Sequence, residues 1–291
     1  MAEHLREAVR PEAKPEGAIA ADIEEIETKL LLEGVAMRYG YDFREYALAP
    51  LKRSIASGMA GEGVATISAY QERLLHDASC MQRFLSGVGV NVTSMFREAE
   101  ILRCIRDEVI PRFRTYPSLR IWIAGCATGE EVYSMAILLK EEGLYQRSRI
   151  YATDLNEASL GVARTGAYPL ARVLAGESPY VHSGGRASLS DFFSVAGNTA
   201  RFNRDLQRNV TWARHNLVSD SSFNEFHLIL CSNVLIYFRP SLQERAHRLF
   251  YGSLVRSGYL ALGQKESLVF CPESSRYERL RDGVNLFHKV R

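Results

Sequence analysis

The sequence predicts an α/β protein whose sheet is mostly parallel and is preceded by a small all-helical domain. Residues 119–136 read LRIWIAGCATGEEVYSMA, which is an apolar strand, a turn at Gly125 and Gly129, and then a helical pattern. Residues 149–164 repeat the order of strand and helix, with Asp154 at the end of the strand. Alternation of strands and helices is typical of a parallel sheet.

Length and composition are those of an ordinary globular chain. It has 291 residues, of which 46% are hydrophobic and 24% are charged, and its net charge is +2. This charge is too small to indicate a nucleic-acid partner or a membrane surface. No apolar run approaches the roughly 18 residues that span a bilayer, and the N-terminus has no apolar signal region. Five cysteines without a CxxC pair indicate reduced thiols rather than disulfides or zinc. We expect a cytoplasmic protein.

The N-terminal part of the chain divides into a leader and a helical domain. Residues 1–20 combine prolines, a glycine and alternating charges, which predicts a flexible leader or, less simply, a short partner-binding helix. Residues 21–90 show helical periodicity without a strand signal. In the first helix of this domain Ile23, Ile26, Leu30 and Val35 should share one face. The second helix has only a modest basic spot, at Lys52 and Arg53.

Residues 91–118 are predicted to form a linker helix between the helical domain and the first strand. The segment NVTS has the composition of a loop that becomes a helix, and Thr93 or Ser94 could cap the following amides. The helix should run to about Pro111. Taken alone, Asn91, Thr93 and Arg97 are explained most simply as a capped helix start with a solvated arginine.

The C-terminal part, residues 119–291, contains the sheet and one insertion. Residues 168–208 break the alternation and are too long for a simple loop, so an inserted lobe is predicted. DFFSVAGNTARF and NVTWARHNL look like short antiparallel strands. Residues 226–238 should be a buried strand that carries Ser232 and Asn233 at its end. A helix should then begin at Pro240, residues 257–263 should form a strand, and a hairpin should close the chain.

The glycine turn after the first strand predicts a ligand site. Glycine allows close approach of the backbone, and the helix start offers unpaired N–H groups. An acid such as Asp154, one strand–helix unit later, is suited to ribose hydroxyls, so the pair predicts a nucleoside-bearing ligand at the carboxyl edge of the sheet. The turn lacks a phosphate-binding lysine and ends in two acids, which favours a cationic ligand. A catalytic thiol at Cys126 is a weaker alternative, because tight turns need small residues anyway.

Several separated segments together resemble one family, the CheR-type chemotaxis receptor methyltransferases. The segments are NVTSMFRE, AGCATGEEVYSMA, ATDLNEASLGVARTGAY, HNL, CSNVLIYF and LALGQKESL, and they occur in the order of the family. The resemblance covers most of residues 22–290. It implies S-adenosylmethionine-dependent methylation of glutamate side chains on chemoreceptors, with S-adenosylhomocysteine as product. The implied fold is a class I methyltransferase, with a seven-stranded mostly parallel sheet and an inserted antiparallel β-subdomain.

The resemblance also implies which residues form the site. Arg97 would hold the acceptor carboxylate and Tyr237 would orient it, whereas Tyr237 could otherwise be a simple buried aromatic. Glu131 would accept from the ammonium of the cofactor, although a carboxylate at a helix start needs no ligand. The residues implied in cofactor binding are Asn91, Thr93, Arg97, Gly125, Glu131, Asp154, Asn216, Leu217, Ser232 and Asn233. No metal is implied.

The implied chemistry needs no general base. A glutamate side chain has an ordinary pKa near 4.3, so the acceptor is already an anion at neutral pH. Rate enhancement would then come from desolvation and alignment of its oxygen with the methyl carbon. The implied partners are the coiled-coil helices of the receptor cytoplasmic domain and, through the β-subdomain, a receptor C-terminal peptide. Nucleic acid and membrane insertion are not expected.

The chain departs from the family pattern at several positions. Met95 replaces the first of two aromatic residues, and Val132 stands where proline is usual. Because both are apolar, we expect altered packing rather than lost chemistry. Ser232 replaces an arginine near the site. The second helix of the domain keeps little of the family's basic character, which puts docking on standard chemoreceptor helices in doubt.

Two other functions compete with this interpretation. A non-catalytic module that binds the cofactor or its product is disfavoured, because Arg97, Glu131, Asp154, Asn233 and Tyr237 are all present. A methyltransferase acting on nucleic acid is disfavoured by the low net charge and by the lack of a basic stripe. The strand that ends at Cys231 is also not followed by the NPPY or DPPY tetrapeptide of amino-methylating enzymes.

Overall fold

A computed structural model describes residues 16–88 and 93–290. The N-terminal part is all helical, as predicted, and has a core of its own around Tyr70 and Phe84. Its third helix begins after Thr66, whose side chain accepts a hydrogen bond from the Ala69 amide and so caps the helix. The helices of this part are α1 (Glu16–Tyr39), α2 (Leu48–Glu62), α3 (Ile67–His76) and α4 (Ala78–Val88). The leader predicted for residues 1–20 lies mainly outside the described residues.

The face predicted for α1 is wrong. Ile23, Ile26 and Leu30 are each more than half exposed, whereas Val35 is fully buried. Helix α1 packs on α3 through a different stripe, in which residues also recur at spacings of three or four. Because α1 has apolar residues on two sides, its periodicity did not show which side would be covered. The buried residues of α1 are Thr28, Leu31, Leu32 and Val35.

The linker is helical from Ala99, later than predicted. Helix α5 (Ala99–Cys104) continues through a π-helical turn, Ile105–Val109, into α6 (Ile110–Phe113). The N-cap is Glu98, and no side chain caps the helix, so the predicted capping by Thr93 or Ser94 does not occur. Residues 93–98 instead form turns in which Phe96 is left-handed and buried.

A seven-stranded sheet forms the C-terminal domain, as predicted. Its order is β6-β2-β1-β7-β8-β10-β9; the first five strands are parallel, and β10 and β9 form the antiparallel closing hairpin. Every residue of the central strand β7 is buried, which explains its unbroken apolar run. The strands are β1 (Leu119–Ala124), β2 (Ser148–Asp154), β6 (Val210–Arg214), β7 (Phe226–Cys231), β8 (Leu254–Leu262), β9 (Tyr277–Arg279) and β10 (Leu286–Lys289).

Three strand predictions need correction. NVTWARHNL is not an antiparallel strand, because β6 pairs in parallel with β2 at the edge of the main sheet. Strand β7 ends at Cys231 rather than at Phe238, and a 3₁₀ turn, Leu235–Tyr237, follows it. Strand β8 begins at Leu254, three residues before the predicted start.

Helices cover both faces of the sheet, and the insertion forms a second, smaller sheet. The helices are α7 (Glu130–Glu141), α8 (Glu157–Thr165), α9 (Leu170–Leu174), α10 (Glu177–His182) and α11 (Pro240–Ser253). The small sheet has the antiparallel order β3-β5-β4, with strands β3 (Ala167–Pro169), β4 (Phe193–Ala196) and β5 (Thr199–Phe202). Pro240 is at the start of α11, as predicted. Within residues 16–88 and 93–290, no helix could cross a membrane and no group of three or more His, Cys, Asp or Glu residues could hold a metal.

Candidate functional site

Two neighbouring clefts open at the carboxyl edge of β1, β2 and β7. Gly125, Ala127 and Asn233 line both of them. We call the larger one the apolar cleft. It is lined by Phe43, Tyr46, Leu85, Val88, Gly125, Ala127, Asp154, Leu155, Asn156, His215, Asn216, Leu217, Asn233, Val234, Tyr237 and Phe238. We call the smaller one the acidic cleft. It is lined by Thr93, Arg97, Gly125, Cys126, Ala127, Glu131, Ser232 and Asn233.

The glycine turn brings backbone and ligand-facing groups together. Gly125 is left-handed, with φ of 73°, and a Cβ there would lie 2.3 Å from Cγ2 of Val234. Any larger residue would therefore collide with the loop that follows β7. Next in the turn, the Ala127 amide donates to Oδ2 of Asp154 at 2.8 Å. The turn and the acid, which were predicted separately, thus form one unit.

Asp154 is held by the backbone on both oxygens. Oδ1 accepts from the Asn156 amide at 2.8 Å, and Oδ2 accepts from Ala127. Burial raises the pKa of Asp154, and the surrounding amides act against this rise. A carboxylate oxygen has further lone pairs, so this fixed carboxylate can still accept from hydroxyl groups in the apolar cleft.

The helical domain supplies one wall of the apolar cleft. The wall consists of Phe43 and Tyr46, from the segment between α1 and α2, and of Leu85 and Val88 from α4. Burial raises the pKa of Tyr46, and so does the nearby carboxylate of Asp154. These four residues were missed in the sequence. The aromatic cluster YDFREY was visible there, but nothing in it showed which side of the sheet it would cover.

Asn216 and Leu217 lie where β6 ends and face the apolar cleft. The side chain of Asn216 accepts from the Val218 amide at 2.9 Å, which keeps the turn closed. His215 is packed edge-on against Trp122, with ring centroids 5.2 Å apart, and is nearly buried. This environment suits a packed histidine better than a base.

Glu131 is the carboxyl group that lines the acidic cleft. Burial raises the pKa of this carboxyl to about 7; a hydrogen bond from Ser232 lowers it, and the charges of Glu98 and Glu266 raise it further. Of these three carboxylates Glu131 lines the acidic cleft, Glu98 and Glu266 act on it from nearby, and Arg97 adds one positive charge to the lining. Such a site is better balanced with a bound cation than without one.

Arg97 connects the linker to the end of strand β7. Its Nη2 donates to Oδ1 of Asn233 at 3.1 Å, and Nδ2 of Asn233 donates to Glu98 at 3.3 Å. Asn233 is left-handed, with φ of 60°, which is uncommon for a residue other than glycine. Tyr237 lies in the same loop, and its pKa is raised by burial and lowered by Arg97 and Arg53. Arg97 and Tyr237 thus line neighbouring clefts that share Asn233.

Cys126 does not have the environment of a catalytic thiol. It is 2% exposed, and burial raises its pKa well above the ordinary value. The charges of Asp154 and Glu131 act in the same direction. Because the thiolate is the reactive form, this residue is suited to the turn rather than to nucleophilic attack.

The departures from the family pattern are absorbed by packing and by one hydrogen bond. Met95 and Val132 are buried in the core below the linker. Ser232 lies in the acidic cleft and bonds to Glu131. Of the site residues proposed from the sequence, every one lines one of the two clefts except Asn91, which lies outside the described residues.

Comparison with known proteins agrees with this geometry. Residues 91–282 match the family model "CheR methyltransferase, SAM binding domain", and residues 26–88 match "CheR methyltransferase, all-alpha domain". A Pseudomonas putida protein named "Putative methyltransferase Cher3" is 44% identical over 265 residues, covering 91% of this chain and 97% of that protein. A Listeria innocua "Chemotaxis protein methyltransferase" is 30% identical over 79% of this chain and 86% of its own length. A Vibrio cholerae "Chemotaxis protein methyltransferase 1" is also 30% identical, over 69% and 73%. The chain belongs to the CheR methyltransferase family.

Proposed function

We propose that this methyltransferase transfers the methyl group of S-adenosylmethionine to glutamate side chains of chemoreceptors, giving methyl esters and S-adenosylhomocysteine. The observation that carries the proposal is the position of Arg97. It lines the cleft that contains Glu131, is hydrogen-bonded to Asn233, and lies within electrostatic range of Tyr237. A guanidinium in the acidic cleft and a phenol in the neighbouring apolar cleft support an anionic acceptor that approaches between them.

The residues present fit S-adenosylmethionine. Asp154 would accept from the ribose hydroxyls, and the apolar cleft with Asn216 and Leu217 would hold the adenine. Glu131 would accept from the ammonium of the amino-acid end, and Gly125 leaves room for the backbone to approach. Glu131 in the acidic cleft, with Glu98 and Glu266 nearby, suits the sulfonium and ammonium groups of this ligand, and Arg97 suits a negatively charged group. When bound, the cofactor supplies an electrophilic methyl group.

The protein's own part in the reaction is alignment and exclusion of water. Arg97 would bind the acceptor carboxylate, and Tyr237 would donate a hydrogen bond that turns one oxygen toward the methyl carbon. No residue has to remove a proton, because the acceptor is already ionised at neutral pH. Thr93, Ser232 and Asn233 line the acidic cleft and would enclose the reacting groups there.

The receptor surface is part of the proposal. We propose that the cytoplasmic coiled-coil helices of the receptor approach α2, where Arg53 is close enough to Tyr237 to lower its pKa. The neighbouring Lys52 is paired with Glu24 at 2.8 Å, which leaves this surface less basic than the family pattern. The small β3-β5-β4 sheet is a second surface, for a receptor tail peptide. A protein acting on these helices would work in the cytoplasm.

A non-catalytic cofactor-binding module is the alternative function. It would use the same clefts but would not require Arg97 beside Tyr237. Incubation with labelled S-adenosylmethionine and membranes of the host distinguishes the two. We expect a labelled band of receptor size whose label is lost in mild base, since glutamyl methyl esters are base-labile.

The matched variants are Arg97→Ala and Arg103→Ala. Arg103 is an exposed arginine of α5 that does not line either cleft. We expect R97A to lose at least 100-fold in transfer and less than tenfold in affinity for S-adenosylhomocysteine, because a charge-assisted bidentate contact would be lost only to the acceptor. R103A should behave like the wild type. Label that resists mild base, or equal transfer by R97A and wild type at saturating acceptor, would contradict the proposal.

A further inference from the structure

Glu266 lies directly behind the loop that carries Asn233 and Tyr237. It belongs to the segment LALGQKESL, to which the proposed mechanism assigns no role. Its side chain is 6% exposed, and it is reached from the acidic cleft only through the loop. Oε1 accepts from the amides of Val234 and Leu235, at 2.8 and 2.7 Å, and Oε2 accepts from the amide of Gly263 at 2.7 Å.

These three bonds fix the start of the loop, whose later residues are held by a 3₁₀ turn and by the Ala47 amide. Asn233 immediately precedes Val234 and is left-handed, a conformation that costs about 1–3 kcal/mol unless the surroundings impose it. The loop is not a continuation of β7, which ends at Cys231. A single carboxylate thus fixes the two amides that follow Asn233 and joins them to the end of β8.

Glu266 is itself held in place. The side-chain amide of Asn285 donates to the carbonyl of Glu266 at 2.7 Å and to the carbonyl of Gly263 at 3.0 Å. Gly263 also leaves no spare room, because a Cβ there would lie 2.8 Å from Oε2 of Glu266 and 3.0 Å from the Asn233 amide nitrogen. The Glu266 carboxylate is therefore fixed in place, and its hydrogen bonds fix the loop in turn.

We infer that Glu266 is a positioning residue for methyl transfer, which holds residues 232–237 so that Asn233 meets Arg97 and Tyr237 faces the acceptor. The part that concerns the acceptor rests on the proposed function. The part that concerns the loop and the cofactor does not, because Ser232 and Asn233 line the acidic cleft whatever the acceptor is. The residue acts through the backbone and touches neither reactant.

The test compares Glu266→Gln and Glu266→Asp with Glu278→Gln. Glutamine keeps the shape, but its amide nitrogen faces an N–H group, so at least one bond is lost. Aspartate keeps the charge but is one methylene too short to reach all three amides. Glu278 is an exposed residue of β9, so its substitution makes the same change in net charge without touching the loop.

Three measurements are made on each variant: amide hydrogen exchange, affinity for S-adenosylhomocysteine, and kcat at saturating cofactor. For E266Q and E266D we expect exchange at Val234 and Leu235 to be at least tenfold faster, with exchange in β1 unchanged. Affinity should fall three- to tenfold and kcat at least tenfold. E278Q should match the wild type in all three.

Each contrary outcome is distinct. Faster exchange with unchanged affinity and kcat would reduce Glu266 to a structural support and overturn the inference. Wild-type behaviour of E266D beside a defective E266Q would show that charge, and not reach, is what matters, and would overturn it as well. If the wild type methylates no receptor, the proposed substrate fails. The inference about Glu266 is then decided by exchange and by cofactor affinity, which need no acceptor.

Discussion

The side-chain amide of Asn233 joins the end of the central strand to the linker through both its oxygen and its nitrogen. Its oxygen accepts from Arg97 and its nitrogen donates to Glu98. The amide therefore bridges an arginine that lines the acidic cleft and the neighbouring glutamate. An aspartate at this position could accept but not donate, so it would repel Glu98.

If Glu131 binds the ammonium group of the cofactor as proposed, cofactor binding should depend on pH near neutrality. In the cofactor-free protein burial raises its pKa to about 7. An ammonium group binds the ionised form better, so affinity should fall as the pH is lowered through this value. For one group of pKa about 7, the fall between pH 7.5 and pH 6 is about eightfold. Titration calorimetry with S-adenosylhomocysteine over this range measures it.

Glu131→Gln is the control for this pH dependence. It should bind more weakly than the wild type and with little change across the range, because the group that titrates is gone. Asp154→Asn should also bind S-adenosylhomocysteine weakly, but its affinity should still fall as the pH is lowered. If the affinity of E131Q changes with pH as that of the wild type does, another carboxyl is responsible, and the role given to Glu131 is wrong.

Among the elements, strands buried on both faces were predicted best. The central strand β7 is covered throughout, so its sequence is an unbroken apolar run. Strand β6 lies at the edge, and none of its residues is fully buried. Its mixed pattern was therefore indistinguishable from a short antiparallel strand. Helix α1 failed for a related reason, since packing on α3 alone leaves a second apolar face uncovered.

The backbone of the segment before α2 is hydrogen-bonded to the loop that carries Tyr237. The Ala47 amide donates to the Tyr237 carbonyl at 2.8 Å, and the Arg239 amide donates to the Glu45 carbonyl at 2.9 Å. The ring of Tyr46 packs on Phe238, with centroids 5.0 Å apart. The helical domain is thus tied to the loop that carries Tyr237 by main-chain hydrogen bonds, which no side-chain pattern could have predicted.

Ala47→Pro removes one of these bonds cleanly. Ala47 has φ of −62°, which proline adopts without strain, so the main loss is the N–H that bonds to Tyr237. A lost hydrogen bond is worth about 1 kcal/mol, and we expect kcat to fall roughly three- to tenfold while the protein stays folded. The measurement is transfer at saturating cofactor, with circular dichroism to check the fold.

Leu48→Pro is the matched control for this substitution. Leu48 is the first residue of α2, a position that tolerates proline because its amide has no partner within the helix. It should keep most of the wild-type activity. If L48P and A47P lose activity equally, the effect comes from proline in this segment, and the Tyr237 bond has no special part in it.

At the scale of the whole molecule, the sheet, the insertion and the cleft residues at strand ends could be predicted from the sequence. Gly125 and Asn233 follow parallel strands and Asp154 is the last residue of one, and the carboxyl ends of such strands must meet at one edge. Tyr46 and Glu266 were not identified, because each acts across a long separation in the chain. What brings them to the site is the packing of the helical domain and the sheet edge, which no local pattern records.

A buried ion network joins the linker, α7 and the insertion. Arg106, in the π-helical turn, pairs with Glu141 and Glu142, and all three side chains are at most 6% exposed. From the insertion, the phenol of Tyr180 donates to Glu141. Burial alone would raise the pKa of Glu141, but hydrogen bonds from Tyr180, the Arg186 backbone and Arg106 lower it. The buried carboxylates of this network are therefore ionised and paired with cations and hydrogen-bond donors, rather than neutral.

Arg106→Met tests how far the fold depends on this network. The variant removes the arginine that pairs with buried Glu141 and leaves Glu142 paired with Arg114 and Arg186. We expect a loss of roughly 3–5 kcal/mol in the free energy of unfolding. Arg248→Met removes a cation from an exposed pair with Glu244 on α11 and should cost at most about 0.5 kcal/mol. Urea denaturation followed by circular dichroism gives both values. Adding Glu141→Gln to R106M should recover part of the loss, because Glu141 is the buried carboxylate that loses its arginine, whereas Glu142 keeps Arg114 and Arg186. If R106M is as stable as R248M, or if the double variant is the less stable one, the three parts of the chain are held together by apolar packing alone.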